Sequence, residues 1–274
     1  MADITTTELF SARSFRDLII APLFETSVVL RSGITRISTV ATKTFLPVLG
    51  KGTAHWTAEL ADLVDSAVPS STLEVVPQKL AAYAVISNEA VADANAASLI
   101  GRALVAAVAT ATDSAFFVGG GTDGPLGLGV ATVTAIAAIP TSGTDPYVDA
   151  IAAVEAAGGT ASVIWMNPLD WAVLAKIKTA AGSSVPALQP LTGAGGALAR
   201  SLYGVPVITS AGCPVGTAYV ADASRVAVVV RTDGTVEADR SAEFSRDGTA
   251  VRVVARLEFA FPYAGAVARI KDVA

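Results

Sequence analysis

The sequence predicts an α+β fold organised around one long helix. Three observations carry this reading. A long Pro-free run, SNEAVADANAASLIGRALVAAVATATDSAFFVGGG, occupies Ser87 to Gly121; strand and helix signals alternate from about 131 to 222; and sequence from Arg225 onward is mostly strand-like.

The Ser87–Gly121 run is dominated by Ala, Leu and Val, and Ala gives up least on entering a helix. Ser87 is the expected cap, with Glu89 and Asp93 at the end of the helix dipole that favours acids. Ile100, Leu104, Ala107, Val108, Ala111, Ala115 and Val118 form the expected buried stripe, and Gly119, Gly120 and Gly121 stop the helix. As one rod it is about 45 Å long.

Ahead of it, Thr5 to about Phe24 carries a short amphipathic helix signal limited by Pro22. This segment is too short for its own core and is expected to dock elsewhere, on another subunit for instance. Then TKTFLPVLGK and STLEVVPQKL read as two extended arms around the polar, acidic stretch HWTAELADLVDSAVPSS. Ten-residue arms project about 30 Å. A bare two-stranded ribbon is marginal in water, so this one is expected to lie on a neighbour. AAYAVIS is a short strand leading into the long helix.

After the glycines, GPLGLGVATVT is loop then strand. DPYVDAIAAVEAAGG is a helix with Asp145 as cap and Pro146 at its first position. SVIWM is a buried strand, NPLDWAVLAKIK a helix begun by Asn167 and Pro168, and VPVIT and TAYVA are strands. AAGSSVPALQPLTGAGGALA reads as a mobile loop. RVAVVVRT and TVEADR flank an expected hairpin turn at Asp233-Gly234, and TAVRVVARLEFAFPYAGAVARI is further strand.

Composition narrows the function. The chain of 274 residues has only 16% charged and 52% hydrophobic residues. Such a charge-poor outside points to extensive contact with other subunits, an Ala-rich genome being the other source of the deficit. A net charge of −5 gives no basic footprint for gripping nucleic acid. One Cys and one His exclude an internal disulfide framework and a Cys/His-built metal site. The opening MADITTTELF lacks a signal-peptide pattern, and Gly124 to Thr144, though uncharged, has too much Gly, Pro and Thr for a membrane span. A soluble cytoplasmic product is expected.

No catalytic set emerges. His55 has no marked partner and reads as a loop or interface residue. Cys213 reads as a small buried filler. Gly119–Gly129 closes a helix rather than opening one, and Gly50-Lys51-Gly52-Thr53 lacks the rest of a phosphate-binding loop; both read as turns. Glu59, Asp62 and Asp65 do not match a calcium-loop spacing and read as a solvated or interface charge cluster. Arg231, Arg240, Arg246 and Arg252, opposite in sign, are candidates to meet a neighbour's hairpin, at about 0.5 kcal/mol per exposed pair.

Taken in order, several landmarks resemble the major capsid proteins of tailed phages (Caudoviricetes) with the Hong Kong 97-like fold. They are Trp56-x-x-Glu59, Pro77-x-Lys79-Leu80, Ser87-Asn88-Glu89, Asp113, Gly119, Gly124-Pro125-x-Gly127, Met166-Asn167-Pro168-x-Asp170-Trp171-x-x-Leu174, Gly204-x-Pro206, and Arg252 through Phe261. The similarity spans about 20 to 270. It implies a homo-oligomer of hexamers and pentamers closing an icosahedral shell around double-stranded DNA. Sequence-specific binding, cofactor, metal, membrane partner and enzymatic activity are all expected to be absent. It implies a portal and a separate scaffolding protein as partners, assembly in the bacterial host cytoplasm, and the virion capsid as destination.

The implied division is an N-terminal arm (1–38), an E-loop hairpin (39–77), a first part of the P-domain with the spine helix (78–130), an A-domain (131–222) and a second part of the P-domain (223–274). The hairpin's Lys51, Trp56, Glu59, Asp62 and Asp65 and the four arginines are the expected inter-subunit contacts. One branch of the family joins subunits by a Lys–Asn isopeptide bond aided by a Glu. Here the Asn position holds Asp247 and the Glu position Val254, so no autocatalytic crosslinking is expected although Lys51 remains. The alternatives are an encapsulin-type compartment or a gene-transfer-agent shell enclosing cargo and, from another class, an Ala-rich α/β enzyme with a Gly-loop ligand site.

Overall fold

The computed structural model describes residues 21–50, 52–62, 65, 68–88, 94–178, 188, 191–192 and 198–271. The first part of the amphipathic N-terminal signal, Lys51, Glu89, Asp93 and most of the Gly/Ala/Pro-rich loop lie outside them.

Two sheets share one helix. The four-stranded sheet runs β1 (Thr35–Thr39), β12 (Ala227–Glu243), β13 (Gly248–Ala260), β4 (Gln78–Ser87). The six-stranded sheet runs β5 (Thr134–Ala137), β14 (Val267–Lys271), β11 (Thr217–Ala221), β6 (Val163–Met166), β10 (Val205–Thr209), β9 (Ser201–Leu202). Two small pairs stand apart: the hairpin β2 (Thr44–Leu49) with β3 (Ser70–Val75), and β7 (Leu191–Thr192) with β8 (Leu198–Ala199).

Among the described residues the α-helical elements are α1 (Ala21–Thr26), the spine α2 (Ala94–Val118), α3 (Asp145–Ala156) and α4 (Pro168–Ala175). Pro22 lies in the first turn of α1, where its missing N–H costs nothing, and so does not end a helix there.

The spine forms because Ala, Leu and Val fill it and no Pro interrupts it. At 25 residues it spans about 37 Å. Its buried face is Val105, Val108, Ala109, Thr112, Asp113, Phe116 and Phe117. Ala107, Ala111 and Val118 of the expected stripe are exposed. Ala occurs all round this helix, so its spacing does not mark a face; the two Phe rings decide which side turns inward. Ser87 is the last residue of β4, and the 89–93 stretch that its expected capping role concerns lies outside the described residues.

The six-stranded sheet is covered on both faces, which explains why β6 is buried at every position. Ile164, Met166, Val220 and Ile270 meet Tyr147, Ala150 and Val154 of α3 and Leu174 of α4. On the other face Trp165 and Tyr219 pack on the end of the spine. Phe116 meets Trp165 and Phe259 edge-on at centroid distances of 5.2 and 4.9 Å, joining both sheets through one ring. The Tyr219 hydroxyl donates to the carbonyl of Phe117 at 3.1 Å.

Local signals hold to within a residue. Asn167 caps α4, its Oδ1 accepting from the Leu169 N–H at 2.9 Å. The α3 cap is Thr144, one residue ahead of Asp145, and its hydroxyl accepts from Tyr203 rather than from its own helix.

Three larger expectations fail. Asp233-Gly234 makes no hairpin: β12 runs through it, and Arg231↔Arg256 is followed by Thr235↔Val254, four positions against two. A bulge absorbs the turn-like residues because β13 continues alongside. The real turn is Phe244–Asp247, with Asp247 at φ 47. The hairpin arms are six residues long, because β3 ends at Val75 and QKL belongs to β4. Finally, part of the expected N-terminal arm is built into the body: β1 pairs with β12, and Leu23, Val29 and Leu30 join the core around the spine. The last strand of the expected second P-domain part, β14, lies in the six-stranded sheet.

Candidate assembly surfaces

The hairpin root is fastened to the body by apolar contact. Val75 is buried with Ala227, Val229 and Ala260, and Ile37, Leu46 and Leu73 close round them. Lys43 bonds Glu74 across the arms at 2.6 Å, an exposed pair worth under about 1 kcal/mol. Beyond the root nothing among the described residues covers the loop. Trp56 is 106% exposed and Leu60 101%. Glu59, Asp62 and Asp65 are exposed beside them. Leu60 adopts φ 65, a left-handed conformation that a side chain rarely takes. Phe45 and Leu49 also stand more than half exposed. Burying an indole is worth about 2–3 kcal/mol, so a loop that holds Trp56 in water gives up a large term.

One face of the four-stranded sheet is covered by the spine, and the opposite face is covered by the hairpin root at Ala227, Val229 and Ala260. Val253, Leu257 and Phe259 turn toward the spine. On the opposite face the register aligns Thr39, Arg231, Arg256 and Lys79 in one row across four strands. Lys79 and Arg256 escaped the sequence reading because their neighbourhood depends on pairings more than 170 positions apart. Four positions along β13 from Arg256, Arg252 lies opposite Glu237 and Tyr83, and its guanidinium bonds the Glu237 carboxylate of its own chain. Arg246 is exposed in the Phe244–Arg246 turn, and Arg240 is a residue of β12. The structure thus puts Arg231 and Arg252 on one face.

Asp247 and Val254 have internal neighbours. Asn88 donates through Nδ2 to the Asp247 carboxylate at 2.6 Å and through its backbone N–H to the Asp247 carbonyl at 3.0 Å. Thr249 donates to Asn88 Oδ1 at 2.5 Å, so Asn88 ties the β12–β13 turn to the end of β4. Val254 is buried, opposite Ala81.

Between hairpin root and spine end lies a groove floored by the Gly119–Gly127 loop and by Glu258. Glu258 accepts from the Leu126 N–H at 2.5 Å. Burial pushes its carboxyl up, with the Leu126 and Phe259 N–H groups opposing. A Cβ on Gly127 would sit 2.2 Å from the Gly119 nitrogen. The glycines therefore let two backbone segments touch, and they leave no cradle for a phosphate. Cys213 is buried and donates to the Thr217 carbonyl; burial and then the Asp170 charge push its thiol up to about 12. His55 lies in the exposed hairpin loop. Among the described residues no helix is long and apolar enough to cross a membrane, and no group of three or more His, Cys, Asp or Glu side chains gathers at one point.

The sequence model of the phage capsid family matches residues 9–272. Among solved structures, one from Mycobacterium phage Cain is 21% identical, with 99% of each chain covered and a TM-score of 0.68. One from Gordonia phage Cozz is 18% identical over 91% of this chain and 87% of that one, at 0.70. The capsid of a native gene-transfer-agent (GTA) particle computed with C5 symmetry is 19% identical over 90% of each chain, at 0.69. No curated protein matches the sequence.

Proposed function

From the premise that this chain belongs to the phage capsid family and has its Hong Kong 97-like fold, we propose that it is the building block of a closed icosahedral shell. Copies assemble through hexamers and pentamers and enclose double-stranded DNA without reading its sequence. The carrying observation is the hairpin: rooted firmly at Val75, it holds Trp56 and Leu60 wholly in water. A segment so built finishes its burial on another copy.

In this reading the spine with the four-stranded sheet is the P-domain and the six-stranded sheet with α3 and α4 the A-domain at capsomer centres. The acidic tip (Glu59, Asp62, Asp65), with Trp56 and Lys51, reaches a neighbour's sheet face, where Arg231 and Arg252 stand and the Arg240 and Arg246 positions follow. Asp247 is engaged by Asn88 and Val254 is apolar, which supports a shell without autocatalytic isopeptide bonds. Assembly takes place in the bacterial host cytoplasm with a portal and a separate scaffolding protein, and the product resides in the virion.

A gene-transfer-agent shell is the second reading, favoured by similarity to a capsid of that kind. Negative-stain microscopy of the purified chain tests the assembly claim, with closed shells expected. Extraction of nucleic acid from particles made in the natural host separates the readings: one uniform genome supports a phage, random host fragments a transfer agent.

A further inference from the structure

We infer that the hairpin attaches to a second copy by main-chain hydrogen bonds, its β3 arm adding a fifth strand to the open edge of β4. This rests on the shell reading above and says how one contact in it is made.

The direction of each backbone group follows from two bonds. Asn88 N–H donates to the Asp247 carbonyl, and these residues continue the β4–β13 register by one step. Residues 88, 86, 84, 82 and 80 therefore point their backbone groups at β13. Lys79, Ala81, Tyr83, Val85 and Ser87 point theirs outward, at an edge that no strand occupies among the described residues. This edge is ten residues long and has no Pro; Tyr83 and Val85 are exposed on it. Proteins normally guard such an edge with Pro, several charges or a bulge; here Lys79 stands alone.

The same argument sorts the hairpin arms. Gly50 N–H donates to the Pro69 carbonyl, so 48, 46 and 44 face β3, and 45, 47 and 49 face outward. Position 47 is Pro, which blunts the outer edge of β2. On β3 the outward residues are Ser70, Thr72 and Glu74, all with N–H groups. One arm is closed to pairing and the other open. The chain cannot join its own two edges, because the backbone turns at Val76-Pro77 between them.

Set antiparallel, Glu74 of one copy falls beside Lys79 of the next, Thr72 beside Ala81 and Ser70 beside Tyr83. Opposite charges meet at the one position where β4 carries a charge. The two edges belong to different elements, so the contact is head-to-tail, the type that closes rings.

Ala81→Pro and Thr72→Pro each delete one outward N–H and leave the chain's own ladders intact; Ala81→Val and Thr72→Val keep the N–H as controls. The two Pro variants should give subunits with wild-type unfolding midpoints that form no shells, while the Val variants assemble. Should a Pro variant misfold, the Thr72→Cys/Ala81→Cys double variant decides: on oxidation it should give disulfide-linked ladders. Shells of Ala81→Pro at wild-type yield, or no 72–81 crosslink in assembled double variant, would overturn the pairing while leaving shell formation standing. Absence of shells from the wild-type chain would overturn both.

Discussion

The Ser27 hydroxyl donates to the Asp113 carboxylate at 2.5 Å, joining the N-terminal entry to the spine across 86 positions. The same carboxylate accepts the Val28 and Val29 N–H groups at 3.0 and 3.2 Å, and Ser27 Oγ accepts from Leu30 N–H at 3.2 Å. One side chain on the helix thus satisfies the backbone of a tight turn that would otherwise be buried unpaired.

Asp113→Ala strands these donors. Bonds to a charged acceptor are worth about 1.5–3 kcal/mol, and loss of this set should cost about 3 kcal/mol of subunit stability in urea unfolding. Asp113→Asn retains an acceptor and should cost less than half of that. Equal stability of Asp113→Ala and wild type would show that the latch carries no weight.

The Gly loop makes a contrast within one segment. A Cβ on Gly124 would lie 2.2 Å from the Gly120 Cα, whereas Gly121 at φ +73 has nothing within 4 Å. Gly121→Ala should cost about 1 kcal/mol, from backbone conformation alone. Gly124→Ala requires the loop to move and should lower soluble yield sharply, as an expression comparison will reveal.

Two carboxylates should tilt stability with pH in opposite senses. Glu258 has a raised pKa, so the folded state binds more protons than the unfolded; its contribution falls as pH rises from the ordinary Glu value through the raised one. Asp222 has a lowered pKa: burial works upward, but bonds from Ser224 and Thr160 and the Arg225 guanidinium outweigh it. Its contribution is present above the ordinary Asp value and is lost as pH falls through the lowered one. Titrated unfolding of Glu258→Gln should remove the first slope, and of Asp222→Asn the second.

Trp56 offers a separation of folding from assembly. Its indole touches solvent alone within one chain, so Trp56→Ala should leave subunit stability within about 0.5 kcal/mol of wild type. Shell formation should nevertheless weaken. Assembled wild-type shells, boiled in detergent, should run as one band at the mass of the subunit, 27.6 kDa; a ladder of covalent multimers would contradict the absence of isopeptide bonds.

What the sequence made legible was local. Asn167-Pro168 marks a helix start because cap and fixed φ act within three residues. The uniform burial of Val163–Met166 follows from its composition. The hairpin is legible as two extended arms, marked by β-branched residues, around a polar, acidic middle. Features fixed by distant partners stayed hidden. Asp233-Gly234 looks like a turn, and only β13 running alongside keeps it in a strand. The cation row of Lys79, Arg256 and Arg231 exists only through register. Docking of residues 23–39 on the body depended on Asp113, an acid buried on a helix face where apolar residues were expected.

Electron microscopy of the purified wild-type chain at high concentration addresses the central claim most directly. The account predicts closed shells in which each hairpin lies on a neighbouring copy. A stable monomer of 27.6 kDa, with Trp56 buried against its own body, would contradict it.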